Sequence, residues 1–455
     1  MSLLTTTATE IRFGTDGIRG VAGKTPLVPD ILKKIAIAAS RVIKTKNAHP
    51  KILISRDTRQ SGEMIEKALC DGFCSVGCQV HLAGILPTPA APVVTSRAGF
   101  DACAMITASH NPWQDNGVKF FNSDGYKFDD QQEREVENLL SGELDLPEAT
   151  NCHARKLEQG AQIYHQHIVE KLGPHTDLTG FRVVLDCANG AAYQMAPQIL
   201  NSLRAQVIPI AVQPDGKNIN HECGSLHPEN LSCRVLQNRA HLGIALDGDA
   251  DRVLLVDHTG AELDGDDILA ILAANMIEKN TLAKKTVVAT VMSNFGLEQF
   301  LSTLGAKLIR TPVGDKHVIE EMRNGGYSLG GEQSGHIVIG SGTPTGDGLL
   351  AALSVIMIAK EKNLPLHQLR QALKKYPQKL YNIAVSSKPP IDALPLTSAA
   401  LAELEEKIRG QGRVLLRYSG TENKIRLMVE ALPGTDIDQL ASPVLYALSR
   451  EIAIK

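Results

Sequence analysis

Long hydrophobic runs are missing from this sequence. The longest, around Leu349 to Ala359, falls short of the ~20 apolar residues that a membrane-crossing helix needs. The opening stretch MSLLTTTATE has no cationic region ahead of an apolar one, so it does not read as a secretory signal. Charge of one sign is also scarce: a formal net charge of -3 without an extended basic run argues against a general nucleic-acid or membrane surface. Partners are therefore expected to be small molecules, and the expected setting is cytoplasmic. Eight cysteines are present, but none stands in paired C-x-x-C spacing. Cys70, Cys74 and Cys78 are four apart, as on a helical face running into Gly77, while Cys103, Cys152, Cys187, Cys223 and Cys233 are scattered singly. A zinc site is not expected, and the thiols read as reduced, several of them buried as small apolar groups. Aromatics make up only 4%, beside 43% apolar residues, 21% charged residues and 38 glycines, an ordinary composition for a globular protein.

What is present is an alternation of apolar strands and amphipathic helices over 455 residues, too long for one core. Pro29 to Lys44 predicts a helix, Lys51 to Ser55 a buried strand, and Ser61 a cap for the helix that follows. Further strands are expected at Cys78 to Leu82, Ala102 to Ile106, Arg182 to Asp186, Ala205 to Ala211, Leu242 to Leu246, Thr286 to Val291, Lys307 to Arg310 and near Ser328. Gly160 to Leu172 and segments opening at Asp266 and Thr345 predict helices. Gln131 to Glu158 reads as an acidic, polar boundary and Leu364 to Pro377 as a linker. The last stretch, with strands Tyr381 to Val385, Arg413 to Arg417 and Lys424 to Glu430 and two helices, suggests a small α+β domain with an antiparallel sheet. Four domains are thus expected, at 1–155, 156–258, 259–372 and 373–455: three α/β domains with mixed sheets and a smaller α+β one.

Each expected domain carries one polar loop at the end of an apolar run. In the first, Met105-Ile106-Thr107-Ala108-Ser109-His110-Asn111-Pro112 leaves a strand, and the stretch suits turn chemistry as well as a reactive serine. The same domain holds Gly14-Thr15-Asp16-Gly17-Ile18-Arg19-Gly20, with one acid and one base, and Lys119. In the second, Asp247-Gly248-Asp249-Ala250-Asp251-Arg252 follows a buried strand, and three carboxylates at i, i+2 and i+4 can converge on one hard cation. An EF-hand is excluded, because Arg252 and His258 stand where that loop needs Gly and Glu. Mg²⁺ suits the loop better, since it takes few carboxylates and shares its shell with phosphate oxygens. Asp264, Asp266 and Asp267 open a helix and read as caps. In the third domain Glu332, Ser334 and His336 can meet hydroxyl or amino groups of a polar ligand, with Lys316 upstream as a further cation. In the fourth, Arg417, Ser419, Gly420, Thr421 and Arg426 surround a tight loop of the kind a phosphate requires, without the Walker A pattern that would imply a nucleotide. A free serine is a weak nucleophile and no G-x-S-x-G elbow is present, whereas a phosphorylated serine could lend an oxygen to the metal.

TASHNP, DGDADR, GEQSGH and R-x-SGTE, one per domain and in this order, resemble the α-D-phosphohexomutases over essentially the whole chain. GTDGIRG, LDCANGAAY and Gln333 are most similar to the members that act on glucosamine phosphate. Two departures stand out: Asn423 where the family usually has Pro, and Trp113-Gln114 where Tyr-Tyr-like pairs are common. The resemblance implies four domains around a central cleft and a phosphoserine at Ser109. That group would pass its phosphate to glucosamine 6-phosphate, give a bound 1,6-bisphosphate and recover the other phosphate, feeding UDP-N-acetylglucosamine synthesis. It further implies one Mg²⁺ per chain held by Ser109, Asp247, Asp249 and Asp251, with a hexose 1,6-bisphosphate as activator. His110, Lys119 and Arg252 would act at the transferring group. Arg19, Lys316, Glu332, Ser334 and His336 would hold the sugar phosphate, with Arg417, Ser419, Gly420, Thr421 and Arg426 on the phosphate that does not react. A homodimer is compatible with it. A mannose or glucose phosphate mutase, a non-catalytic sugar-phosphate binder and a metal-dependent phosphatase are the competing readings.

Overall fold

The computed structural model describes residues 11–14, 16–43, 47–142, 144, 154–174, 176–419 and 423–453. The chain falls into two compact units: residues 293–307 with 372–455 form the second, and the remainder forms the first.

The first unit contains three sheets. One has six strands, in the order Ile18–Val21, Asp115–Asn122, Ala102–Ile106, Lys51–Arg56, Gln79–Ile85 and Arg155–Lys156. Its centre is parallel, Ala102–Ile106 beside Lys51–Arg56 beside Gln79–Ile85, and its Ile18 side is antiparallel. Ala102–Ile106 is buried along its whole length, as expected of a strand covered on both faces. The helix Pro29–Val42 starts with proline at its first turn and buries Leu32, Ile35, Ala36, Ala39 and Val42 at helical spacing. A second sheet runs Glu262–Leu263, Val253–Asp257, Leu242–Leu246, Arg182–Asp186 and Gln206–Ile210. In the third, of four strands, Thr286–Thr290 lies parallel to Leu329–Gly331, which pairs antiparallel with Ile337–Ile339.

The second unit is built on three antiparallel strands, Gln378–Ala384, Lys424–Ala431 and Gly412–Tyr418 in that order. Its core joins Ile425, Leu427 and Val429 to Leu404, Leu440, Val444 and Leu448 from the helices Pro395–Lys407 and Ile437–Glu451. The helix Phe295–Thr303 belongs to this unit, and its Phe295 ring meets Tyr376 edge-on at 5.1 Å.

Several expectations need correcting. The polar stretch after Gln131 is not only a boundary, because Asp130–Ser141 is a helix closed by a capping box between Asp129 and Gln132. The boundary placed at 155 falls inside the strand Arg155–Lys156, and Glu262–Leu263, given to the third domain, completes the second sheet. The linker from Leu364 contains a short helix, Leu366–Arg370, anchored by buried Leu366. Ser61 makes no side-chain cap, since its own backbone is helical; its Oγ instead accepts a hydrogen bond from Asn116 Nδ2 at 2.9 Å. Asp264 does cap the helix Gly265–Glu278, accepting from the backbone of Asp266 and Asp267. Cys78, Cys103, Cys187 and Cys223 are buried thiols, whereas Cys74 departs from the expected reduced state and is disulfide-bonded.

Candidate active site

In each sheet of the first unit the polar loop leaves the carboxyl end of a parallel strand, where open α/β sheets place their ligands. Ala102–Ile106 delivers Ser109, Leu242–Leu246 delivers Asp247, and Leu329–Gly331 delivers Glu332.

Ser109 is 1% exposed and holds a positive φ of 51°. That conformation strains a residue with a side chain and persists only where neighbours fix it. Thr107 serves the turn, its Oγ1 accepting from the Ser109 amide at 2.9 Å, as the turn reading expects. The Ser109 Oγ then donates to Asp247 Oδ2 at 2.6 Å and lies 3.3 Å from His110 Nδ1. Arg252 Nη1 donates to that same Nδ1 at 3.1 Å, which assigns the His110 proton to Nε2. Burial, followed by the charges of Arg252 and Arg19, pushes the imidazole down to about 4, so His110 is neutral at neutral pH.

Asp247, Asp249 and Asp251 present ligand atoms within 4.8 Å of one another, all from buried residues. At an effective dielectric near 20, two carboxylates at that spacing repel by about 3 to 4 kcal/mol. Burial, together with the neighbouring aspartates, raises the Asp247 and Asp251 carboxyls above their usual range. Asp249 also suffers burial, but Lys119 Nζ at 3.0 Å and the Thr88 hydroxyl at 2.6 Å outweigh it and hold the group ionised. Asp249 Oδ1 and Asp251 Oδ1 are buried without a hydrogen-bond partner. Two orphaned carboxylate oxygens in a crowded acidic cluster fit a metal ion, which these three residues could hold. Lys119, 1% exposed, sits against the cluster at 2.8 Å from Asp16 and 3.6 Å from Asp251. Burial opposes its charge, and the three carboxylates more than restore it.

A cavity of about 620 Å³ opens beside this cluster. Arg19, His110, Asp251, Arg252, Glu332, Gln333, Ser334 and His336 all line it, so the structure brings together the sequence-derived candidates of three domains. Gly335 makes the turn of the third loop: at φ 93° it lies so close to the Val253 carbonyl that a Cβ would sit 2.1 Å from that oxygen. His336 is 1% exposed, accepts from the Gly346 amide through Nε2 at 3.1 Å, and leaves Nδ1 without a partner. Lys316 does not join the cavity wall. Its ammonium turns to Asp130 and Glu133, 2.6 Å from each, while the adjacent Asp315 faces the cavity. Asp315 was missed in the sequence, as were Lys127, which bridges Asp315 and Asp16, and Thr88.

In the second unit Arg417 and Arg426 are register partners across two antiparallel strands. Burial and then the Arg426 charge lower the Arg417 guanidinium from its usual value. Ser419 closes its strand, its amide donating to the Lys424 carbonyl at 2.9 Å. Gly420 and Thr421 lie outside the described residues.

Comparison with known proteins agrees with this geometry. The phosphoglucomutase/phosphomannomutase alpha/beta/alpha domains I, II and III match residues 10–145, 162–260 and 264–376, and the C-terminal domain of that family matches 380–445. The phosphoglucosamine mutase of Syntrophotalea carbinolica is 44% identical over 448 residues, covering 97% of this chain and 98% of the relative. That of Anaeromyxobacter dehalogenans is 44% identical over 452 residues, covering 97% and 99%. Among solved structures, a phosphoglucomutase/phosphomannomutase family protein from Burkholderia thailandensis superposes with a TM-score of 0.79 at 23% identity, over 97% of this chain and 98% of the other. The Aspergillus fumigatus N-acetylphosphoglucosamine mutase, solved in complex with GlcNAc-6P and magnesium, gives 0.67 at 17% identity, over 97% and 96%. Both share the fold. Matched along almost its entire length, the chain belongs to the phosphoglucomutase/phosphomannomutase family and, within it, to the phosphoglucosamine mutases.

Proposed function

We propose that the protein interconverts glucosamine 6-phosphate and glucosamine 1-phosphate, an isomerase reaction that passes through a phosphoserine at Ser109. The observation that carries the reading is the Ser109 hydroxyl, 2.6 Å from one of three clustered aspartates and beside a large polar cavity. In the forward direction the P–Oγ bond of phosphoserine breaks as the sugar's O1 takes the phosphoryl group and gives up its proton. The resulting 1,6-bisphosphate reorients in the cavity, its 6-phosphoryl group returns to Ser109 Oγ, and O6 takes up the proton that O1 released, leaving glucosamine 1-phosphate.

Positioning and charge stabilisation supply most of the acceleration in such transfers. Lys119 and Arg252 neutralise charge on the migrating phosphoryl group, and neutral His110, its Nδ1 held by Arg252, lies beside the serine. Glu332, Ser334 and His336 hold the sugar, Arg19 holds its phosphate from the cavity wall, and Lys316, set back on Asp130 and Glu133, acts only at a distance. Arg417, Ser419, Gly420, Thr421 and Arg426 take the phosphate that does not react. Asp247, Asp249 and Asp251 with the phosphoserine hold one Mg²⁺, which when bound supplies positive charge to the transferring group. A hexose 1,6-bisphosphate activates the enzyme by recharging Ser109, and the cytoplasm is the proposed location. The domain limits 1–155, 156–258, 259–372 and 373–455 are kept as proposals except at the two edges that cut Arg155–Lys156 and part Glu262–Leu263 from its sheet, and each encloses most of one family segment.

The substrate assignment rests on relatives named phosphoglucosamine mutase and on Gln333 in the cavity wall. Rates on glucosamine 6-phosphate, mannose 6-phosphate and glucose 6-phosphate, with Mg²⁺ and a bisphosphate present, test it. The amino sugar is expected to be fastest, and finding it slowest refutes the assignment. Release of inorganic phosphate as the main product would instead make the protein a phosphatase.

A further inference from the structure

The strand Lys51–Arg56 ends beside the serine loop, and three residues past it lies Arg59, 1% exposed and the largest fully buried side chain among the described residues. A guanidinium has five N–H donors, and here all five are used. Nε donates to Asp57 Oδ2 at 2.9 Å. Nη2 donates to the carbonyls of Ser109 at 2.9 Å and Asn111 at 2.8 Å. Nη1 donates to the carbonyls of Pro112 and of Asp115, the latter at 3.0 Å. Four of the five acceptors are therefore main-chain oxygens, three on the loop that carries the serine and one on Asp115, which opens the next strand. Asp57 ties the arrangement back to the same loop, accepting from Thr107 Oγ1 at 2.7 Å.

The Ser109 carbonyl is held from a second direction by Asn220, whose Nδ2 donates to it at 2.9 Å and to the Asn111 carbonyl at 3.1 Å. It is closed from a third by Gly248, where a Cβ would come within 2.6 Å of that oxygen. Reorienting this carbonyl would turn ψ at Ser109, leaving the left-handed backbone there free to relax and carry its Oγ away from Asp247. A buried cation committed to four main-chain carbonyls costs desolvation that a purely structural core would avoid with apolar residues.

We infer that Arg59 is a positioning residue for phosphoryl transfer: with Asn220 it clamps the Ser109 carbonyl, fixes the left-handed backbone and so aims Oγ at the metal-binding aspartates. This rests on the reading of Ser109 as the phosphate carrier. Because Arg59 touches no reacting atom, its loss should act on kcat and leave substrate binding alone.

The test compares Arg59→Lys and Asn220→Gly with the wild-type protein and with Ser109→Ala. Lysine keeps a positive charge for Asp57 but offers three N–H groups on one point, too few and too close for four spread carbonyls. Glycine accepts the φ of 59° at position 220 while removing the amide. Each protein is checked by thermal melting, and turnover is divided by the phosphate on Ser109 read from intact mass. Misplacing a reacting group by about 1 Å costs roughly 100-fold, so a loss of about 100-fold in kcat is expected for Arg59→Lys and about 10-fold for Asn220→Gly, with KM within about twofold. Wild-type kcat in a folded Arg59→Lys overturns the inference, and so does a fall confined to KM. If Arg59→Lys does not fold, Asn220→Gly decides, and wild-type kcat there overturns the clamp. A wild-type protein that gains no phosphate on Ser109 when treated with a hexose 1,6-bisphosphate, or a Ser109→Ala that turns over normally, overturns the phosphoserine reading instead, whatever Arg59 does.

Discussion

Asp347 gives a pH dependence whose size can be worked from the structure. It is the N-cap of the helix Gly348–Lys362, accepting from the Leu350 amide at 2.9 Å, and both its oxygens lie 3.0 Å from the buried Tyr164 hydroxyl. Burial pushes its carboxyl from 3.8 up to about 6, because two or three hydrogen bonds replace less than the lost water. Below pH 3.8 the group is protonated whether the chain is folded or not. Between 3.8 and 6 the unfolded chain releases the proton that the folded chain keeps, so stability falls as pH rises, and above 6 the full cost is present. That cost is about 3 kcal/mol, of which about 2 kcal/mol is incurred between pH 4.5 and 7.5. Asp347→Asn keeps an oxygen for the Leu350 amide and cannot ionise, losing about 0.3 to 1 kcal/mol of charge–dipole interaction. Urea denaturation of the wild type and the variant at pH 4.5 and 7.5 should show the variant gaining about 2 kcal/mol on the wild type as pH rises. The same stability difference at both pH values, or a gain for the wild type, would refute the reasoning.

Asp249→Ala should remove most Mg²⁺-dependent turnover while far-ultraviolet circular dichroism stays that of the wild type; unchanged turnover would rule out the metal assignment. Gly248→Ala pushes a methyl toward the Ser109 carbonyl, and a shift of the serine loop should cut kcat by about 10 to 100-fold. Normal kinetics would mean that the two loops can part without consequence. Arg417→Ala should raise KM several-fold and leave the phosphate on Ser109 unchanged by mass, whereas equal loss of both would count against a separate phosphate-holding role for the last domain.

The loops that carry Ser109, Asp247 and Glu332 were legible because each follows an unbroken apolar strand, so burial and exit point are both written locally. The antiparallel sheet of the last domain was legible for the same reason. Thr88 was not, since its partner Asp249 is 161 residues away and nothing near Thr88 marks it. Arg59 sits at a strand exit like the serine, but its five acceptors are mostly carbonyls, which every residue owns and no pattern advertises. The placement of Lys316 away from the cavity has a simpler cause. Asp315 and Lys316 open the helix Asp315–Gly325, and neighbours on a helix point about 100° apart, so one faces the cavity and the other the Asp130 helix. The helix Asp130–Ser141 was overlooked because its polar surface hides the two buried positions, Gln132 and Val136, that hold it down.

The bond from Ser109 to Asp247 spans 138 residues and joins loops from different sheets, with Asn220 and Gly248 packed into the join. A growing chain that has not yet reached Asp251 owns the serine but no complete acidic cluster, and the serine's unusual backbone has only part of its support. The backbone at Ser109 is thus completed only where two sheets meet, and the proposed phosphate carrier depends on that meeting.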